Sequence, residues 1–173
     1  MTEIPECVKR YFDEATVHKA IVRGDVEMIK YLVSIHIEIP NDAMYLATRH
    51  GRLEVTKYLY EELHVQLDIS LIDIAASHGY ANVVKYLHSK GASCTDNAIY
   101  QAARHNDFEM VEFLHEEIGV PCTSRALAAA ARNGHLEMVK YLHINGAACT
   151  LNAIDNAIEM GNTEIVQYLE TCM

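Results

Sequence analysis

Residues 123–147 read TSRALAAAARNGHLEMVKYLHINGA. The stretch divides at Gly134. Before it, Ala126, Leu127, Ala130 and Ala131 recur at helical spacing behind Thr123, whose hydroxyl suits a helix N-cap. After it, Leu136, Met138, Val139 and Leu142 form a second apolar stripe of helical period. Glycine between the two tolerates the positive φ of a sharp reversal. The segment predicts two short helices joined by a tight turn.

The same plan recurs along the chain. A Tyr-Leu or Phe-Leu pair stands at Tyr31, Tyr58, Tyr86, Phe113, Tyr141 and Tyr168, spaced by 27 or 28 residues. Seven positions earlier come Gly24, Gly51, Gly79, Asn106, Gly134 and Gly161. Four positions before those stand Ala20, Ala47, Ala75, Ala102, Ala130 and Ala157. Thr95, Thr123, Thr150 and Asp68 precede first helices as caps. Glu27, Glu54, Glu109, Glu137 and Glu164 open second helices, where the dipole favours an acid. Helices of ~9–10 residues are marginal alone, so the pairs must bury their faces on one another. The expected fold is all-α, a solenoid of six stacked helix–turn–helix repeats. Its units run approximately 13–39, 40–67, 68–94, 95–122, 123–149 and 150–173, with 1–12 as an N-terminal capping helix, in a single domain 1–173.

Residues 130–147 (AARNGHLEMVKYLHINGA), 76–92 (ASHGYANVVKYLHSKGA) and 51–59 (GRLEVTKYL) closely resemble ankyrin repeats. Ankyrin units usually have about 33 residues. The shortfall here lies between one second helix and the next first helix, where the family carries a β-finger. The β-fingers are therefore expected to be absent or vestigial, with short loops such as Gly91–Thr95 crossing instead. The shortened style is similar to arrays of large DNA viruses and of some protists.

The 173-residue chain carries a net charge of −10, with no apolar run long enough to span a bilayer. Acidic balance disfavours nucleic acid and anionic lipid as partners. The opening residues, Met1 to Glu6, hold no apolar signal core, and an intracellular, cytoplasmic protein is expected (host cytoplasm for a viral one).

Ten histidines and five cysteines invite a metal or redox reading. Cys94, Cys122 and Cys149 share one repeat position with Ile39 and Leu67, which marks a packing site. Rungs ~8–10 Å apart can neither bridge nor share one zinc ion. His88, His115 and His143 follow the Tyr-Leu pairs as half-exposed helix surface. The tyrosine column accepts Phe113, so it reads as packing. Glu61-Glu62 and Glu116-Glu117, which close the longer units, find no explanation in sequence. No nucleophile–base set, phosphate loop or dinucleotide fingerprint is legible. No enzyme activity, metal or cofactor is expected.

The family resemblance implies protein binding on a concave face, with ligand contacts from the two residues before each turn. Here those pairs are Arg49-His50, Ser77-His78, Arg104-His105 and Arg132-Asn133. A column six residues before the turn adds Tyr45, Asp73, Tyr100 and Asp155, of which exposed tyrosines make good anchors. Solvated turn residues and ligand contacts both remain open readings of these positions. The expected partner is another protein, through an acidic segment, with monomer preferred to homodimer. Packing through the terminal repeats, where Met160, Ile165 and Val166 would be partly exposed, is the alternative.

Overall fold

A computed structural model describes residues 12–172. Among the described residues twelve helices form six antiparallel pairs: α1 (Glu14–Arg23) and α2 (Val26–Ser34), α3 (Ala43–Arg49) and α4 (Leu53–Glu61), α5 (Ser70–Ser77) and α6 (Ala81–Ser89). Then come α7 (Asp96–Arg104) with α8 (Phe108–Glu112), α9 (Ser124–Arg132) with α10 (Leu136–Ile144), and α11 (Leu151–Glu159) with α12 (Thr163–Thr171). First helices stack on first helices and second helices on second helices. The fold is an α-solenoid, and the described residues contain no strand. No described helix is long and apolar enough to cross a membrane. Of the expected 1–12 cap only Phe12 is described, its ring edge-on to Tyr31 at 5.9 Å.

The alanine column is buried throughout, and the leucines of the Tyr-Leu pairs are fully buried. A larger residue in place of Ala102 or Ala130 would force neighbouring first helices apart. Thr95, Thr123 and Thr150 cap their helices, accepting from the N–H of Asn97, Ala126 and Ala153. Asp68 accepts from Ser70 N at 2.8 Å, one residue outside the formal cap position.

A second set of left-handed residues closes the second helices: His36 (φ 59°), His64 (φ 54°), Gly91, Gly119 and Gly146. They explain the two unit lengths. The extra residue of the longer units lies in the last turn of the second helix. After α8 it winds into a π turn, Phe113–Glu117. In the shorter units Ile37, Ala92 and Ala147 donate to the carbonyls of Leu32, Leu87 and Leu142 at 2.9–3.0 Å. In the longer units Val65 and Val120 donate to Leu59 and Leu114 at 3.0 and 2.9 Å, across one more residue. The wider turn thus absorbs the added residue, and the same closing bond forms.

Candidate functional site

A groove of about 540 Å³ runs across the neighbouring first helices α7, α9 and α11. Tyr100, Arg125, Ala128, Arg132, Asn152 and Asn156 line it. At one end the Arg125 guanidinium lies 3.9 Å from the Tyr100 ring centre, a cation–π stack that holds both side chains flat. At the other, Arg132 reaches Asn156 Oδ1 at 3.2 Å and Glu159 at 3.5 Å. Buried Ala128 and Ala129 keep the floor low. The groove is open, apolar at its base and rimmed by amide, hydroxyl and guanidinium groups.

The sequence-derived residues divide. Tyr100 and Arg132 meet in this groove. Tyr45 and Arg49 form a separate exposed pair on α3, with the guanidinium 6.0 Å over the ring. His50, His78, His105 and Asn133 are the C-caps of α3, α5, α7 and α9. Ser77 and His78 bond to the Ile74 carbonyl, and Asn133 to that of Ala129, so these side chains are spent on helix ends. Arg104 ends α7 with its side chain exposed, and its carbonyl lies 3.2 Å from His135 Nε2 of the next unit.

Asp73 corrects the column that contained it. It is buried, 8% exposed, and accepts from Thr95 N at 2.9 Å and from Thr95 Oγ1. It fastens one unit to the next. Ile165 is also buried; among the described residues of the last unit the exposed large apolar side chains are Leu151, Ile158 and Met160, on and beside α11.

Arg125 and Asn152 were not singled out in sequence. They share the column nine residues before the turn, which also holds Asp42. That column meets the one six residues before the turn in the preceding unit. The contact is made twice more plainly than periodicity alone suggests: Tyr100 on Arg125, and His18 Nε2 to Asp42 Oδ1 at 2.9 Å. Reading the two columns as neighbours across the interface would have found them.

The second-helix face is a ladder of aromatic contacts. His88, His115 and His143 set their rings edge-on to Phe113, Tyr141 and Tyr168 of the following unit. Glu61 accepts from Tyr86 Oη and pairs with Lys90 Nζ, both at 3.0 Å, while Glu116 accepts from Tyr141 Oη at 3.4 Å. Glu61 and Glu116, the first acid of each pair, therefore have partners in the next unit. Phenylalanine stands at 113, after a shorter unit, where Lys85 approaches its ring at 5.4 Å. Burial and the Glu116 charge push the Tyr141 phenol up to about 12. Burial, then the Asp73 charge, pushes the Cys94 thiol up to about 11, and burial raises Cys122 likewise.

The family model for ankyrin repeats (3 copies) matches residues 72–155 and 99–171. This chain belongs to the ankyrin-repeat family. Its fold is similar to the crystal structure of the human ASB11 ankyrin repeat domain, with a TM-score of 0.71 at 18% identity. That alignment covers 90% of this chain and 82% of the other. No curated protein matches the sequence. Ankyrin repeats as a family are protein–protein interaction modules.

Proposed function

We propose that this chain is a non-catalytic scaffold that binds a segment of another protein along its first-helix face. The groove across α7, α9 and α11 is its centre. The observation that carries this reading is the Tyr100–Arg125 stack: a rigid aromatic and a planar cation, both accessible, over a small-residue floor. Aromatic and arginine side chains dominate the energetics of protein interfaces. Arg132, Asn152 and Asn156 supply hydrogen bonds to a peptide backbone or to acidic side chains. Tyr45 with Arg49, and Arg104 with His105, extend the contact along the stack, while His50, Ser77, His78 and Asn133 shape the turns beside it. Arginines on a chain of net charge −10 favour an acidic segment.

The test begins with affinity purification and mass spectrometry, followed by titration of the recovered partner. Tyr100→Ala and Arg125→Glu should each weaken binding about tenfold or more, which corresponds to ~1.4 kcal/mol. Lys30→Glu on the second-helix face should leave it unchanged. Equal affinities for all three would reject the groove. A second reading, assembly through the last unit, is favoured by exposed Leu151, Ile158 and Met160. Sedimentation across a concentration series separates the two: association abolished by Ile158→Glu supports assembly, and a concentration-independent monomer supports the groove.

A further inference from the structure

His143, Cys149 and Cys172 come from three places in the chain: the last turn of α10, the loop before α11, and the C-cap of α12. Their ligand atoms all lie within 4.8 Å of one another. No other trio of His, Cys, Asp or Glu among the described residues comes so close. His143 Nδ1 and Cys172 Sγ are 3.5 Å apart. A tetrahedral zinc ion with Zn–S of ~2.3 Å and Zn–N of ~2.0–2.1 Å has S···N edges of ~3.5 Å. All three side chains are half-buried, which leaves one side of the cluster open to solvent.

The repeat columns make this arrangement specific to the last interface. His88, His115 and His143 share one column, and Cys94, Cys122 and Cys149 another. The third position, taken from the following unit, is Glu117, then Asn145, then Cys172. A His/Cys pair thus recurs three times, and only the third acquires a second thiol. Cys94, Cys122 and Cys149, as rungs of one ladder, stand too far apart to share an ion. Cys172 lies outside that ladder and comes close to Cys149 from the end of α12.

We propose that His143, Cys149 and Cys172 bind one zinc ion, with water in the fourth position. Two thiolates and an imidazole form a soft donor set that suits zinc and excludes magnesium and calcium. Each thiol releases its proton to water as it coordinates. Coordination replaces two weaker contacts of these side chains, the bond between Tyr168 Oη and His143 Nδ1 at 2.8 Å and that from Cys172 Sγ to the Tyr168 carbonyl at 3.2 Å. The ion ties α12 to the unit before it and so stiffens the last interface of the stack.

The full chain, purified under reducing conditions, is titrated with zinc alone and with cobalt(II) alone. About one equivalent should bind, and cobalt should give thiolate charge-transfer absorption with the visible bands of a tetrahedral site. Chelation should lower the melting temperature. Cys172→Ser and His143→Gln should each weaken zinc binding at least about tenfold and abolish the effect of chelator, while circular dichroism reports the fold intact. Cys94→Ser should bind zinc as the parent does. Absent cobalt bands, bands that survive Cys172→Ser, or a Cys149–Cys172 disulfide in reduced, metal-supplied protein would overturn the assignment.

Discussion

The Tyr80 ring lies flat against the turn at Gly51, so close that a β-carbon there would stand 2.6 Å from Tyr80 Cδ1. Gly51 (φ 65°) therefore meets two demands, a left-handed backbone and the bulk of the next unit. Gly91 (φ 83°) meets only the first, because among the described residues nothing lies within 4 Å of where its β-carbon would stand. Gly51→Ala should cost ~1–2 kcal/mol for the backbone and a further ~1–3 kcal/mol for overpacking. Gly91→Ala should show the first cost alone. Urea unfolding of the two variants separates them, and Tyr80→Ala should recover part of the Gly51→Ala loss.

Thr48 is fully buried on α3 and its hydroxyl has no hydrogen-bond partner among the described residues. The equivalent positions of the other units hold Ile21, Ala76, Ala103, Ala131 and Ile158, all apolar. Thr48→Val keeps the shape and removes the unsatisfied group, so stability should rise by about 1 kcal/mol. A melt at or below that of the parent would contradict it.

Asp73 gives the opposite case. Its carboxylate satisfies both the N–H and the hydroxyl of Thr95, and Asp73→Ala strands them beside a buried void. A loss of ~1–3 kcal/mol is expected in denaturant titration. Asp155→Ala, at the same repeat position but exposed, should change little.

Lys90, and then the Tyr86 hydroxyl, hold the Glu61 carboxyl below its usual range. Its folded-state pKa is lower than its unfolded one, so its contribution is present above the unfolded value. That contribution is lost as pH falls through the folded one. Tyr141 has the reverse sign: its phenol is raised to about 12, so its contribution is complete below the ordinary tyrosine value near 10. It disappears as pH climbs towards 12. Removing Glu61 by Glu61→Gln should flatten the acid limb of stability against pH. Tyr141→Phe should delete a late step from the ultraviolet phenol titration.

The period of the chain displayed the fold because each unit repeats one burial problem: Ala102 and Leu114 recur wherever a helix must approach its neighbour. The caps at Thr95, Thr123 and Thr150 were legible for the same reason, since a cap is a local bond. The site was less legible. Tyr100 and Arg132 stood out as exposed anchors, but Arg125 gains its role from a ring in the preceding unit, a contact between columns that counting along the chain does not display. Asp73 went astray because one repeat position faces solvent in one unit and a threonine hydroxyl in another. Periodicity reports which face a residue shares, and the partner on that face depends on the next unit's side chain.

The wider turns at Val65 and Val120 have an evolutionary corollary. A codon gained or lost at the close of a second helix changes how one turn winds, and the interfaces on either side remain matched. Duplicated copies in such a gene can therefore drift in length independently, while selection continues to act on the residues each copy presents.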